Sequence, residues 1–148
     1  MLLAVLLGIA ATVLFAQGNE TPAAVKSKFS SLYPKATSVK WEKENGNYEA
    51  EFKLNNVETS VLLDAKGNVI EKETQMEVTA LPKMINDYVT KNYPGEKIKE
   101  ASKIEDSKNN VTYEAEVNNV DLLFDAKGNF VKKEAEEENE AGEENDND

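Results

Sequence analysis

A segment of about sixty residues occurs twice in this chain, with its motifs in the same order. Three motifs recur, namely a stretch between a proline and Tyr-Pro (residues 21–34 and 81–94), Tyr-Glu-Ala-Glu (48–51 and 113–116) and Asp-Ala-Lys-Gly-Asn (64–68 and 125–129). Since a duplicated sequence forms duplicated elements, the repeat constrains the fold more than any other feature. It predicts two copies of one small unit.

Each copy opens with the pattern of a short amphipathic helix. A proline stands at the first position, where its missing N–H costs nothing, and Tyr-Pro ends the helix because a residue before proline avoids the α region. The predicted apolar stripes are Val25, Phe29 and Leu32 in the first copy and Ile85, Tyr88 and Val89 in the second. We expect a helix of about three turns in each copy.

After each helix the apolar pattern changes to a period of two, which is typical of half-buried strands. In the first copy Asn45-Gly46 predicts a tight hairpin turn, Asn55-Asn56 a second reversal, and residues 64–68 a third turn with Gly67 in a left-handed position. Two arms of the second copy are each shorter by two residues, which preserves the face of every side chain. The repeat therefore predicts four antiparallel strands per copy.

The predicted fold class is α+β, with two tandem units, each a helix followed by a four-stranded antiparallel meander. The helices would pack on one face of the sheet and leave the other in water. Whether the sheet continues across residues 73–80 stays open in the sequence. We expect the two units to share one core, since an exposed edge strand in each would invite aggregation.

The composition excludes most catalytic chemistry. The chain has no Cys and no His, so thiol nucleophiles, imidazole bases and the usual zinc sites are excluded. A pair of carboxylates could still act as acid and base, but the sequence singles out no such pair. There is also no Arg, no glycine-rich phosphate loop and no basic stripe, which argues against nucleic-acid binding. We expect no enzyme, no cofactor and no metal site.

The two ends of the chain differ from the repeats. Residues 2–15 are almost entirely apolar, which predicts a signal peptide over residues 1–16 and export without a remaining membrane anchor. Residues 134–148 hold nine of the 28 acidic residues and no Lys, which predicts a disordered acidic tail. The remaining 19 acidic residues nearly balance 17 lysines, so the tail accounts for most of the net charge of -11. The repeats then span residues 21–77 and 78–133.

The polar face of the sheet is the largest candidate docking surface. The candidate partner-binding residues on this face and its loops are Lys40, Glu42, Glu49, Glu51, Lys53, Asn55, Asn56, Glu114, Glu116, Asn118 and Asn119. The alternative is a solvated face on which cross-strand Lys/Glu pairs contribute only about a few tenths of a kcal/mol each.

Three other signals have a plain structural interpretation. Asp64 with Asn68, and Asp125 with Asn129, could resemble calcium ligands, but such short turns offer too few oxygens and favour side-chain capping of the turn. Trp41 could anchor an interface, but its alternation with Val39 favours core positions for both side chains.

The ordered motifs resemble a known family. A Pro-initiated helix, Tyr-Pro, Val-Lys-Trp-Glu, Asn-Gly-x-Tyr-Glu-Ala-Glu-Phe and Asp-Ala-Lys-Gly-Asn, spread over residues 21–133, are similar to the PepSY-like, beta-lactamase-inhibitor-like family of exported bacterial proteins. The resemblance implies helices packed on antiparallel sheet, a periplasmic or secreted location, and a role in binding proteins. No inhibitory residue can be carried over from the family to a position in this chain.

Sequence and resemblance together predict an exported, non-enzymatic module that binds another exported protein. The sharpest form of this hypothesis is an inhibitor of an envelope hydrolase or peptidase, which blocks the target by steric occlusion with a loop such as residues 55–56 or 118–119. The alternative is a structural or stress protein of the envelope that binds cations or small ligands weakly through its acidic surface and tail.

Overall fold

Within residues 20–135, eight strands form one antiparallel sheet, in the order in which they occur along the chain. The computed structural model describes residues 20–135. Its elements are α1 (Ala23–Leu32), β1 (Thr37–Glu44), β2 (Asn47–Leu54), β3 (Val57–Leu63), β4 (Val69–Gln75), a 3-10 turn (Val78–Ala80), α2 (Lys83–Asn92), β5 (Glu100–Asp106), β6 (Val111–Glu116), β7 (Val120–Asp125) and β8 (Phe130–Ala135). Neither helix in this range is long and apolar enough to cross a membrane.

The expectation of two tandem units, each with its own four-stranded meander, is wrong. β4 of the first copy pairs with β5 of the second over five residue pairs, from Glu71 opposite Asp106 to Gln75 opposite Ser102. This pairing satisfies backbone groups that would otherwise form a free edge in each copy. Across residues 20–135 the result is one continuous sheet with the two helices α1 and α2, and more of these residues lie in strands than in helices.

The core, in contrast, is divided. One apolar cluster joins Val25 and Phe29 of α1 to residues of β2 and β3 such as Phe52. A second cluster joins Ile85 and Val89 of α2 to residues of β6 and β7. The strand register places both clusters on the same face of the sheet. The expected common core is therefore not formed: the two copies share a sheet, and each helix covers its own half.

Two residues predicted to face the core are exposed. Leu32 lies at the end of α1 and keeps 44% of its surface accessible, so the buried stripe of this helix is Val25 and Phe29. Val39 is exposed because β1 contains a bulge between Thr37 and Lys40. The extra residue interrupts the alternation of side chains, which a period-two pattern assumes to be regular.

The turns form as their residue types predict. Asn45-Gly46, Asn55-Asn56 and Asn118-Asn119 all have positive φ angles, the conformation that tight hairpins require. Asp64 Oδ1 accepts hydrogen bonds from the backbone N–H groups of Lys66 and Asn68, while its Oδ2 accepts one from Asn68 Nδ2.

The same arrangement recurs at Asp125 with Asn129, and also at Asp106 with Asn110, which the sequence analysis did not identify. These aspartates therefore cap turns within the protein.

β8 ends at Ala135, two residues inside the segment predicted as an acidic tail. Glu134 belongs to this strand and forms an ion pair with Lys132. The predicted signal peptide and the rest of the predicted tail lie outside the described residues.

Candidate functional site

On one face of the sheet no helix of residues 20–135 packs, and we call this the open face. Residues directly opposite each other on neighbouring strands share a face, so the register identifies its rows. Three central rows are Glu49, Leu62 and Glu71; Ser60, Glu73 and Ile104; and Ser102, Glu114 and Leu123. Acidic side chains thus alternate with apolar and hydroxyl side chains across the middle of the open face.

Five acidic residues of the open face are buried: Glu49, Glu71, Glu73, Glu114 and Asp121. We call them the acidic cluster. The cluster contains two predicted partner-binding residues, Glu49 and Glu114, which we expected to face water. That expectation is wrong at the centre of the face, where Glu73 is 1% exposed and Leu62, Ile104 and Leu123 are buried as well. Charged residues are almost never buried to this extent without a partner.

Curvature of the sheet explains how residues without a covering helix become buried. The charges that act on Glu71 of β4 include Glu44 of β1 and both Lys132 and Glu134 of β8. Groups from both outer strands therefore lie close to a central strand, so the sheet curls toward its open face. Bulges in the β1–β2, β3–β4 and β7–β8 pairs accompany this curvature, as expected because bulges increase local twist.

Several carboxylate oxygens of the acidic cluster have no hydrogen-bond partner among residues 20–135. They are Glu49 Oε1, Glu71 Oε1, both oxygens of Glu73, and Glu114 Oε2. The buried Ser60 hydroxyl lies next to Glu49 but makes no hydrogen bond of good geometry. A buried polar group without a hydrogen bond is uncommon in a folded protein and costs roughly 1–3 kcal/mol, more if it is charged.

Burial changes the protonation of the outer members of the cluster. It raises the pKa of Glu49 to about 7, with a smaller increase from Glu51, Glu44 and Glu42 that the nearby Ser60 hydroxyl opposes. Burial likewise raises the pKa of Glu71 to about 7. The charge of Asp106 adds to the increase in the pKa of Glu71, while that of Lys132 opposes it. Both side chains therefore titrate near neutrality.

The central pair is shifted in the same direction. Burial raises the pKa of Glu73, and the neighbouring Glu49, Glu71 and Asp121 add to the increase, whereas the Ser102 hydroxyl favours the ionised form. Burial also raises the pKa of Glu114, with Glu73 as the next largest cause. The two carboxyl groups resist ionising together because like charges at short range repel each other.

The predicted residues of the first copy lie at the rim of the open face. Lys40, Glu51 and Lys53 line a shallow cavity of about 100 Å³ together with Ser38 and Glu58. Lys53 Nζ lies 3.3 Å from Glu58 Oε1. Glu42 is exposed beside them, opposite Glu49.

In the second copy, Glu116 lies at the rim and accepts a hydrogen bond of 3.2 Å from Lys99. The rim thus carries both signs of charge, unlike the cluster it surrounds.

The two predicted loops lie at the same end of the sheet. Asn55-Asn56 follows β2 and Asn118-Asn119 follows β6, and even-numbered strands of a sequential antiparallel sheet all run in one direction. Both loops are exposed. Four strand spacings separate them, or roughly 19 Å along a flat sheet. They and the rim residues surround the open face, whereas the capped aspartate turns lie at its other end.

The sequence analysis missed Glu71, Glu73 and Asp121. One signal was present: residues 61–63 and 122–124 are continuous apolar runs, which are typical of strands buried on both faces. In β4, Glu71 and Glu73 also alternate with Lys72 and Thr74 and so share a face with Leu62. Pairing across β4 and β5 was the missing information.

The carboxylates of the cluster do not form a recognisable metal site. Among the described residues, no three acidic side chains are arranged to hold a metal ion. The arrangement places carboxyl oxygens able to accept hydrogen bonds beneath a curved surface that has no helix among the described residues. Chemically, it suits cationic groups that donate several hydrogen bonds.

Comparison with solved structures shows the same fold in bacterial proteins. A protein from Bacteroides eggerthii, described as "putative periplasmic", has a TM-score of 0.70 at 16% identity, over 78% of this chain and 89% of its own. A DUF2874 family protein from Bacteroides ovatus has a TM-score of 0.66 at 24% identity, over 79% and 89%. A BLIP-like protein from Bacteroides fragilis has a TM-score of 0.64 at 21% identity, over 85% and 94%. A search among curated proteins found no match.

A family model matches the sequence twice. The family is described as "Putative beta-lactamase-inhibitor-like, PepSY-like", and the matched segments are residues 17–71 and 69–132. The matches correspond to the two copies of the repeat and together cover most of the chain, which confirms the resemblance seen in its motifs. This chain therefore belongs to the beta-lactamase-inhibitor-like, PepSY-like family.

Proposed function

We propose that this chain is an exported, non-catalytic module that binds another protein through the open face of its sheet. The acidic cluster carries the proposal, because it places buried polar atoms without partners on the one face that no helix covers. Free energy lost by burying such atoms is recovered when a bound molecule supplies their hydrogen bonds. The family description and the periplasmic description of the Bacteroides eggerthii protein support export and protein binding.

The finer form of the proposal is an inhibitor of an envelope hydrolase or peptidase. Asn55-Asn56 and Asn118-Asn119 are narrow two-residue turns at one end of the open face, held in the left-handed conformation. Such turns change little on binding, so they lose little conformational entropy when they enter a cleft. The target would be blocked by steric occlusion, with the rim residues Lys40, Glu51 and Lys53 at the contact.

The test is affinity capture from an envelope extract of the source bacterium with two immobilised proteins. One is the full chain and the other ends at Ala135, which keeps β8 complete. A single hydrolase retained by both, at a 1:1 ratio and with micromolar or tighter affinity, is the expected result. Retention of basic proteins by the full chain alone would instead favour weak binding through the acidic tail.

A matched pair of charge exchanges locates the contact. K53E/E58K reverses the ion pair at the rim, and K83D/D87K reverses an exposed ion pair on α2, so both keep the net charge. We expect the rim exchange to weaken binding of the captured partner about tenfold, mainly through the association rate, and the helix exchange to leave it unchanged. Equal effects from both exchanges would rule out the open face as the contact.

A further inference from the structure

We propose that the acidic cluster is a receptor for a cationic side chain, a lysine or an arginine, that the partner protein inserts into the open face. This inference rests on the proposed function, because it specifies the chemistry of the partner at that face. It follows from the burial of Glu73, from the charges that surround the cluster, and from the lack of Lys and Arg in residues 1–19 and 136–148.

Glu73 is the first reason. Its side chain is 1% exposed, and neither carboxylate oxygen accepts a hydrogen bond of good geometry within residues 20–135, although the Ser102 hydroxyl lies close enough to favour the ionised form. A buried carboxylate in this state is costly. Protonation removes the charge but leaves a donor and an acceptor unsatisfied, so it only partly relieves the cost. The side chain therefore lacks a complementary group, and that group must donate hydrogen bonds.

The surrounding charges are the second reason. Glu73 lies near Glu49, Glu71 and Asp121, all of which disfavour its ionised form. The ionised form of Glu114 is likewise disfavoured by the charges of Glu73, Asp121, Glu134 and Glu71. Lys132 of β8 lowers the pKa of Glu71, but it also pairs with Glu134. The neighbouring carboxyl groups therefore oppose each other's ionisation, and a positive charge placed among them would favour the ionised form of several at once.

The two segments outside residues 20–135 provide no such charge. Residues 1–19 and 136–148 contain no Lys and no Arg. The second of these segments is acidic, so it would be repelled by the cluster. Symmetric pairing of two copies through their open faces would likewise bring two acidic clusters together, which like-charge repulsion opposes. The occupant we infer is thus a different protein.

A side chain fits this site better than a metal ion. The carboxyl groups extend over β2, β4, β6 and β7, and no three acidic side chains in the described range are placed to hold a metal. An arginine carries five N–H donors in a rigid plane and a lysine carries three, so one such group satisfies several separated oxygens. The long stem also allows the charge to reach the floor of a curved face that a backbone cannot enter.

Proton release accompanies binding if the inference holds. A cation next to Glu73 and Glu114 favours their ionised forms, so carboxyl groups with raised pKa values lose protons when it binds. The other charged groups that face the four glutamates are Glu42, Glu44, Glu51, Asp106, Asp121, Lys132 and Glu134. Attraction to the mixed charges of the rim would release no protons from the buried pair.

The experiment titrates the full chain with a capped pentapeptide, acetyl-Gly-Ser-Arg-Ser-Gly-amide, and follows backbone amide shifts by NMR. A matched peptide with citrulline in place of arginine has the same shape without the charge. We expect the arginine peptide to shift amides of β4, β5 and β6 and to bind about tenfold more tightly than the citrulline peptide. Calorimetry in two buffers of different ionisation enthalpy should show proton release at about pH 7.

Two double variants distinguish binding at the acidic cluster from attraction to the net charge of the protein. E73Q/E114Q should lose the shifts and the proton release, while E77Q/E96Q, which removes two exposed carboxylates, should bind as the unchanged chain does. Equal binding of both peptides, or loss of binding in both variants, would overturn the inference. Stronger shifts of the same amides by CaCl₂ than by the arginine peptide, at equal ionic strength, would overturn it in favour of a metal ion.

The captured partner distinguishes failure of this inference from failure of the proposed function. A partner that binds E73Q/E114Q as tightly as it binds the unchanged chain would leave the proposed function standing and refute the cationic anchor. If no partner is captured, the proposed function fails, and the peptide titration still decides whether the acidic cluster takes a cation.

Discussion

Glu73 of β4 and Glu114 of β6 lie on either side of β5, opposite Ile104 and Ser102 respectively. Both are buried, and the charge of Glu73 is the largest cause after burial of the raised pKa of Glu114. One carboxylate comes from each copy of the repeat, so the pair exists only because β4 and β5 join the copies into one sheet.

The first prediction concerns pH. Glu49, Glu71, Glu73 and Glu114 have pKa values above the ordinary range of about 4.5 in the folded protein. The folded state therefore binds more protons than the unfolded state above that pH, and the free energy of unfolding falls as pH rises toward 8. Urea unfolding should show higher stability at about pH 5 than at about pH 8. A steady increase in stability from pH 5 to pH 8 would contradict the raised pKa values.

The second prediction isolates Glu73. The change E73Q keeps the shape of a protonated glutamate and removes the charge, so we expect a rise in Tm of roughly 4–8 °C at pH 8, corresponding to about 1–2 kcal/mol. Little change is expected at about pH 5, where the native side chain is already protonated. E96Q, at an exposed position, serves as the control for net charge. A fall in Tm at pH 8 would mean that the ionised form of Glu73 has a stabilising partner.

The third prediction concerns the first apolar cluster. Phe29 packs against Trp41 and Phe52 with ring centroids 5.1 and 5.0 Å apart, both edge to face. F29A should destabilise the protein by about 3–5 kcal/mol through lost burial and a cavity. L32A, on the same helix but at a position that is 44% exposed, should cost less than about 1 kcal/mol.

The readout for this pair is Trp41 fluorescence during urea unfolding, since Trp41 is the only tryptophan in the chain and touches the first cluster. Circular dichroism of the sheet reports on both halves. Coincident transitions would show that the shared sheet couples the two clusters, whereas an early fluorescence transition in F29A would show that the first half unfolds alone. Equal costs for F29A and L32A would contradict the packing.

The fourth prediction compares two glycines with similar backbone angles. Gly67 has a φ of +81°, and a Cβ added there would lie 2.9 Å from Cβ of Lys28. Gly46 has a φ of +86°, with no atom within 4 Å of an added Cβ. G46A should therefore cost about 1 kcal/mol from the backbone alone, and G67A clearly more because α1 must also move. Thermal unfolding measures both, and a G67A variant no less stable than G46A would refute the close approach of helix and turn.

Local chemistry made much of the architecture predictable. The positions of the helices follow from their prolines and apolar stripes, and the turns follow from Asn-Gly, Asn-Asn and Asp-Ala-Lys-Gly-Asn, because these residues interact with their immediate neighbours. Leu32 and Val39 show the limit of such patterns. One lies where the helix ends and the other in a bulge, and neither irregularity has a signature in the period of the sequence.

The candidate site was only partly predictable. The rim residues Lys40, Glu51 and Lys53 and the exposed loops lie where alternation places them. Alternation also assigned Glu49 and Glu114 to the open face, yet it gave no indication that they are buried. Burial depends on how far the sheet curls and on which strands become neighbours, and both depend on contacts between residues far apart in the chain.

By itself the sequence determined the repeated order of helices and strands, the faces of most side chains, the family, and the absence of thiol and imidazole chemistry. The tertiary structure alone decided that the two copies form one sheet, that their cores stay separate, and that acidic residues of both copies meet at its centre. The physical reason is the distance along the chain between the residues that interact. Turn formation and periodicity are local, whereas the pairing of β4 with β5 and the burial of Glu73 depend on edges and charges that only the folded chain brings together.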